Sequence, residues 1–128
     1  MDLESKISSK IFKQTRFVKM RSKIKYAEER VKSSFDKLRD SKTEDKKLYK
    51  WINRAMDDLE DNAFCGIQIR KKLIPKVYIE RYGIDNLWKY DLPKSWRLIY
   101  SVVKGEVQIL SIILEWMSHK DYEKRFRY

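Results

Sequence analysis

Arg97 is the residue whose chemistry fits its surroundings least well. It lies in the run Trp96-Arg97-Leu98-Ile99-Tyr100, which has the pattern of a strand. A guanidinium among apolar neighbours is not expected on a fully solvated face, so it needs an anionic partner. That partner is either a phosphate or a nearby carboxylate. The candidate carboxylates are Asp91, Glu106 and Glu115.

His119 is the single histidine of the chain. Its usual pKa of about 6.5 suits proton transfer near neutral pH, although a packing or capping role is the alternative. One histidine and one cysteine, Cys65, cannot form a zinc site, and no glycine-rich phosphate loop is present. The acidic run from 57 to 61 is interpreted as a solvated helix face. We therefore expect no metal and no cofactor.

The charge of the chain indicates the class of partner. Its 128 residues include 30 Lys and Arg against 19 Asp and Glu, a formal net charge of +11. Such a field favours a polyanion, and nucleic acid is the first candidate, although lysine-rich surfaces also occur in proteins that bind nothing specifically. A lone cysteine excludes an internal disulfide, and no apolar run has the length of a signal peptide or membrane span. We expect a cytoplasmic protein.

Two parts of the chain differ in pattern. Residues 1 to 22 show no sustained periodicity and are predicted to be a basic extension. Residues 23 to 128 are predicted to form one domain. The basic residues of the extension are Lys6, Lys10, Lys13, Arg16, Lys19 and Arg21.

Two helices are predicted after a short strand at 23 to 27. Apolar residues at steps of three and four define one helical face from Val31 and a second from Leu48. Ser41 and Glu44 have the spacing of a capping box at the start of the second helix. Gly66 is a candidate for its left-handed cap. The two helices should form an antiparallel hairpin.

The second half of the chain is predicted to be mainly strands. Residues 67 to 84 are ambiguous, with Pro75 able to open a short helix and Gly83 able to close it. Strand patterns follow at 87 to 92, 96 to 103 and 107 to 114, the last two joined by a tight turn at Lys104-Gly105. The predicted fold is α+β, a β-αα-βββ arrangement with the helix hairpin packed on a small antiparallel sheet, followed by a charged tail.

The order of these residues resembles the RelE/ParE toxin superfamily. Its members place a lysine on one strand, a Tyr- or Trp-Arg-Leu-Ile/Val-Tyr run on the next, and a His or Arg with a Tyr in the tail. Lys89, the 96 to 100 run, His119 and Tyr122 match this order, over about residues 23 to 128. The helix hairpin followed by an antiparallel sheet is also the architecture that the resemblance implies.

The resemblance implies a type II toxin that cleaves mRNA on the ribosome without a metal, with Lys89, Arg97, His119 and Tyr122 as the catalytic set. Arg97 would stabilise the phosphorane with help from Lys89, and His119 would transfer a proton. Tyr122 would stack on a base or hold the 2′-OH. Asp91 replaces a second family lysine, which shifts the expected chemistry toward His119.

Basic residues around this set are expected to contact phosphates of mRNA or ribosomal RNA. The resemblance also implies a separately encoded antitoxin, and an acidic amphipathic partner would complement the charge of +11. Two alternatives stay open: a gyrase-poisoning toxin, the second branch of the superfamily, and a nucleic-acid-binding module without catalysis. The expected RNA-binding residues are Lys71, Lys72, Lys76, Lys94, Lys120, Lys124, Arg125 and Arg127.

Overall fold

The computed structural model describes residues 20 to 127. The predicted extension therefore lies outside the described residues up to position 19, and Ser22 already belongs to the first strand. The helices and strands are β1 (Ser22–Tyr26), α1 (Glu29–Arg39), α2 (Thr43–Asp61), β2 (Ile67–Ile69), α3 (Lys76–Tyr82), β3 (Leu87–Asp91), β4 (Arg97–Lys104), β5 (Ile109–Met117) and α4 (His119–Phe126). Short 3-10 helices occupy Lys71–Leu73 and Pro93–Ser95. No helix among the described residues is long and apolar enough to cross a membrane.

The strands form one five-stranded sheet in the order β1-β5-β4-β3-β2. The pairs β2–β3, β3–β4 and β4–β5 are antiparallel, but β1 runs parallel to β5. The α+β class is confirmed, whereas the prediction of a purely antiparallel sheet is wrong. β1 and β5 lie far apart in the sequence, and strand patterns indicate which residues face a core without indicating which strands pair. β4 is the central strand of the sheet, and Arg97 is its first residue.

The helix hairpin covers one face of the sheet, which we call the hairpin face. The apolar stripes of α1 and α2 pack there against Leu98, Tyr100 and Ile113, as the sequence periodicity predicts. The four tryptophans are partly buried against this core. At the margin of this face, the Tyr90 hydroxyl donates a hydrogen bond to the carboxylate of Asp58. Burial, followed by that hydrogen bond, raises the pKa of Tyr90 to about 12.

Helices α3 and α4 contribute to a second core on the opposite face, which we call the α4 face. Tyr78 from α3 and Tyr122 and Phe126 from α4 pack with Ile99 and Leu114 of the sheet. The Tyr122 and Phe126 rings stack 4.3 Å apart. The tail predicted only as charged and aromatic is therefore a helix whose apolar side is buried.

Two predicted helix caps are wrong. The hydroxyl of Ser41 donates to the backbone oxygen of Lys37, so it closes α1 and does not cap α2. Helix α2 ends at Asp61 with Asn62 in an extended conformation, and Gly66 is not its cap. A Cβ at Gly66 would lie 2.5 Å from the Tyr100 hydroxyl and 2.6 Å from a backbone oxygen of β3. Gly66 is thus needed for close packing rather than for a left-handed turn.

The ambiguous segment from 67 to 84 contains both a strand and a helix. Strand β2 is only three residues long, too short for a periodic signal. Helix α3 follows Pro75 and ends at Gly83, which has the left-handed φ of 63° that the sequence predicts for a helix end. The loop between β4 and β5 runs from 105 to 108, longer than the predicted two-residue turn, and is closed by a hydrogen bond from Gly105 to Gln108.

Candidate anion-binding site

The β3–β4 hairpin brings two cations and a carboxylate to the α4 face. Asp91 is the register partner of Arg97, and Lys89 is the partner of Ile99, whose side chain lies in the core of that face. Because side chains alternate along a strand, all three charged residues point to the same side of the sheet. The connecting turn fixes this register with a backbone hydrogen bond from Leu92 to Trp96.

That turn carries backbone strain. Lys94 and Ser95 have φ angles of 56° and 63°, the left-handed region that favours glycine. Two consecutive side-chain-bearing residues in this region cost folding free energy that the rest of the structure must offset. The strained residues lie in the turn that connects Asp91 to Arg97, so this turn conformation accompanies the register that pairs the two residues.

Asp91 is shared by both cations. Its Oδ1 lies 3.1 Å from Lys89 Nζ and 3.0 Å from Arg97 Nε. The first contact is a hydrogen bond, but the N–H of Arg97 Nε does not point at the carboxylate, so the second is an ion pair by distance only. Arg97 Nη1 donates to the backbone oxygen of Trp96 at 3.3 Å. Arg97 is thus a nearly buried cation with a poorly satisfied donor.

Tyr122 of α4 lies over both cations. Its ring centre is 5.5 Å from Lys89 Nζ and 5.3 Å from Arg97 Cζ, distances at which a cation is attracted to the face of the ring. Helix α4 begins immediately after β5, with Ser118 accepting a hydrogen bond from the amide of Asp121. Met117, at the end of β5, is the register partner of Arg97, which places the first turn of α4 over the cations.

We call Lys89, Asp91, Arg97 and Tyr122 the cation cluster. The Lys89 and Arg97 side chains are only 17% and 14% exposed, whereas Asp91 is 47% exposed. Two cations against one carboxylate leave a positive surplus. A second anion that reached the cluster would therefore find an unsatisfied guanidinium donor and a carboxylate that can move into solvent.

His119 is the first residue of α4 and lies two positions after Met117. Its Nε2 is 2.7 Å from Glu123 Oε1, one turn further along the helix, and its side chain is 55% exposed. The described ion pair of the imidazole is with Glu123 and not with the cation-bearing strands. The backbone thus places His119 beside the cluster, while its side chain turns toward solvent and Glu123.

The expected RNA-binding residues are all exposed, but they occupy several elements. Those before β4 lie on the two 3-10 helices and at the start of α3, and the others lie on or just after α4. Lys124 and Arg125 line a cavity of about 350 Å³ beside Met117. Arg125 also donates to Glu115 at 2.8 Å. The eight residues are Lys71, Lys72, Lys76, Lys94, Lys120, Lys124, Arg125 and Arg127.

Sequence reasoning did not identify every charged residue that clusters in space. Asp91 was one of three possible partners of Arg97, and the hairpin register selects it. Arg30 and Arg81 carried no sequence signal because their spacing resembles that of ordinary surface residues. Both lie near Arg125 around a second cavity. Their proximity depends on how α1, α3 and α4 meet, which no local pattern encodes.

A scan against protein-family models found no match. Searches of curated proteins and of solved structures likewise found no match.

Proposed function

We propose that this chain is a toxin of a type II toxin-antitoxin system, of the RelE/ParE type, and that it cleaves mRNA on the ribosome as a metal-independent endoribonuclease. The 2′-OH attacks the adjacent phosphate and the 5′-oxygen leaves. The observation that supports this proposal is the meeting of Lys89, Arg97 and Tyr122 from three separate elements. These are three of the four residues that the sequence resemblance assigns to catalysis.

Each of these side chains suits a step of that reaction. The guanidinium of Arg97 is nearly buried and stabilises the doubly charged phosphorane, with the ammonium of Lys89 beside it. Tyr122 supplies a ring on which a base stacks or a hydroxyl near the 2′-OH. His119 transfers a proton after its side chain turns from Glu123 toward the cluster. Catalytic contacts often tighten only when substrate binds.

Asp91 favours a second candidate function, a nucleic-acid-binding module without catalysis. Its carboxylate already occupies the position between Lys89 and Arg97 that a phosphate would take. On this alternative, Arg97 serves to form the ion pair with Asp91, and no substrate binds between Lys89 and Arg97. The exposed lysines would then bind nucleic acid by charge alone.

The deciding experiment is translation of a defined mRNA by purified ribosomes with the purified protein, followed by mapping of the mRNA ends. A gyrase supercoiling assay is run in parallel. The proposal expects new 5′ ends within the coding region and unchanged supercoiling. Relaxed or cleaved plasmid with intact mRNA would instead support the gyrase-poisoning alternative, and RNA binding without cleavage would support the binding module.

Asp91→Asn distinguishes a substrate site from a structural ion pair. Removing the carboxylate frees Lys89 and Arg97 for a phosphate, so the proposal expects affinity for uncleavable 2′-O-methyl RNA to rise roughly two- to fivefold. Fluorescence anisotropy measures the affinity. Asp85→Asn, which removes an exposed carboxylate ahead of the same strand, is the matched control. An equal effect of both substitutions would mean that only net charge matters.

The proposed partner is a separately encoded antitoxin. An acidic amphipathic segment complements the charge of +11 and would bind the basic surface around α4. Expression of this chain alone should inhibit the growth of a host cell, and co-expression of the antitoxin should relieve that inhibition.

A further inference from the structure

A second group of cations lies where the sheet edge is open. Strand β1 pairs with β5 only as far as Ile113, so the stretch 114 to 117 of β5 has no β1 neighbour at that edge. Helix α1 from the hairpin face and helices α3 and α4 from the other face meet around this gap. They enclose a cavity of about 170 Å³, and each helix contributes one arginine: Arg30, Arg81 and Arg125. We call this the arginine cavity.

Two carboxylates hold the three guanidiniums in place. Glu28 accepts from Arg81 Nε at 2.9 Å and Nη2 at 3.0 Å, and from Arg30 Nε at 3.2 Å. The hydrogen bond from Arg81 is the main reason why the pKa of Glu28 lies below its usual value. Glu115 accepts from Arg125 Nη1 at 2.8 Å. The bidentate contact fixes the plane of Arg81, so this guanidinium is oriented before any ligand arrives.

Charge and donors remain for a ligand. Three guanidiniums face two carboxylates, which leaves a positive surplus at the cavity. The side chains of Arg30, Arg81 and Arg125 are 62%, 49% and 39% exposed, so an ion can reach them from solvent. The described hydrogen bonds of Arg125 both use Nη1, which leaves its Nε and Nη2 facing no described acceptor.

A phenol completes the group. The Tyr78 hydroxyl accepts from Arg125 Nη1 at 3.3 Å, and its ring is buried. Burial, followed by the nearby carboxylate of Glu115, raises the pKa of Tyr78 well above its usual value. The hydroxyl therefore keeps its proton and lies beside the guanidinium of Arg125 as an uncharged group. The cavity thus offers cationic donors from three directions beside an uncharged phenol.

We infer that the arginine cavity binds a phosphoryl group, held between Arg30, Arg81 and Arg125. A single arginine satisfies a planar carboxylate in a bidentate pair, whereas a tetrahedral phosphate offers oxygens to several donors that converge from different directions. The group is either part of an RNA backbone or a free phosphate. The inference goes beyond the proposed function and does not depend on it, because no residue of the cation cluster takes part.

The test follows the arginine Nε–Hε resonances of the full chain by NMR. One titration uses inorganic phosphate at constant ionic strength, and another uses a 2′-O-methyl uridine octamer, which lacks the attacking hydroxyl. Phosphate should saturably shift the resonances of Arg30, Arg81 and Arg125. Arg81→Gln should weaken phosphate binding at least tenfold, because it removes a positioned charge-assisted donor. Arg70→Gln removes one exposed arginine ahead of α3 and is the matched control.

A second variant is expected to bind phosphate more tightly, a result that misfolding cannot produce. Glu28→Gln keeps an amide oxygen that can accept from Arg81 but removes the negative charge that competes with a ligand for Arg30 and Arg81, so phosphate should bind roughly three- to tenfold more tightly. If Arg81→Gln weakens both phosphate and the octamer, the ligand is an RNA backbone. If it weakens phosphate alone, the ligand is a free phosphate.

Three results would overturn the inference: resonances that phosphate does not shift, equal losses in Arg81→Gln and Arg70→Gln, or loss of the phosphate response in Arg97→Ala. The last result would mean that the phosphate had been bound at the cation cluster. A failure of mRNA cleavage in the translation assay, by contrast, leaves the arginine cavity unaffected.

Discussion

The two faces of the sheet are covered by helices but differ in what those helices bury. The hairpin face packs long apolar stripes of α1 and α2 against aromatic and aliphatic strand residues. The α4 face also has an apolar core, but Lys89, Asp91 and Arg97 stand at its border beneath a helix of eight residues. Apolar burial stabilises a fold without directional demands. A nearly buried guanidinium stabilises a fold only where its donors meet acceptors in good geometry, and Arg97 Nε does not. We therefore expect substitutions on the hairpin face to affect mainly stability, and the proposed function expects substitutions at the cation cluster to affect mainly activity.

Arg97→Ala should produce the largest difference between an effect on activity and an effect on stability. We expect mRNA cleavage to fall about a thousandfold, because the phosphorane loses its fixed positive charge. The free energy of unfolding should fall by about 1 kcal/mol or less, because Asp91 is half exposed and keeps its contact with Lys89. Single-turnover cleavage and urea denaturation measure the two quantities. Arg54→Ala, an exposed arginine of α2, should change neither. Parental cleavage by folded Arg97→Ala would refute the assignment.

Ile52→Ala should show the opposite behaviour. Ile52 is fully buried in the core of the hairpin face, and its truncation should lower the free energy of unfolding by about 3 kcal/mol. Cleavage per folded molecule should stay near the parental rate. Urea denaturation gives the stability, and activity is normalised to the folded fraction from circular dichroism. Val103→Ala, at a site that is 41% exposed, is the control and should cost far less. A large loss of activity in folded Ile52→Ala would break the division between the faces.

His119→Gln tests whether the α4 face includes the proton-transfer group. We expect cleavage to fall about a hundredfold, with the fold unchanged because the side chain is exposed. Glu123→Gln removes the partner of His119 but keeps the imidazole, so it should retain most of the activity. Single-turnover rates distinguish the two variants. Equal cleavage rates for the two variants would mean that His119 forms only a surface ion pair with Glu123 and does not transfer a proton.

Ser95→Gly should produce the smallest change. The φ of 63° at Ser95 costs a side-chain-bearing residue free energy that glycine avoids, so stability should rise by about 0.5 to 1 kcal/mol. Thermal and urea unfolding measure the gain, and Ser95→Ala, which keeps a Cβ, should not reproduce it. A lower cleavage rate in the more stable Ser95→Gly protein would mean that strain in the hairpin helps to position Arg97.

Elements with long repeating patterns could be predicted from the sequence. The apolar stripes that begin at Val31 and Leu48 identified α1 and α2. Pro75 and Gly83 marked the two ends of the possible short helix that the structure shows as α3. The strands from 87 onward were also placed within a few residues. Local spacing determines these features, so a single sequence contains them.

Features that depend on partners distant in the sequence could not be predicted. The parallel pairing of β1 with β5, the three-residue β2 and the arginine cavity all depend on tertiary contacts. The predicted capping box does not form, because the Ser41 hydroxyl donates instead to the backbone oxygen of Lys37 in the preceding helix. The choice of Asp91 as the partner of Arg97 required the hairpin register, since three carboxylates were available on residue type alone.

The parallel pairing of β1 and β5 has a consequence for biosynthesis. The Ser22 and Ser111 hydroxyls bond across a separation of 89 positions, so β1 leaves the ribosome long before its neighbour exists. The helix hairpin can form early from local contacts, but the sheet closes only after a long loop has been ordered, which makes closure slow. Arg97 and Tyr122 likewise meet only after α4 emerges. If the proposed activity is correct, the nascent chain is inert toward the ribosome that makes it until synthesis has reached α4.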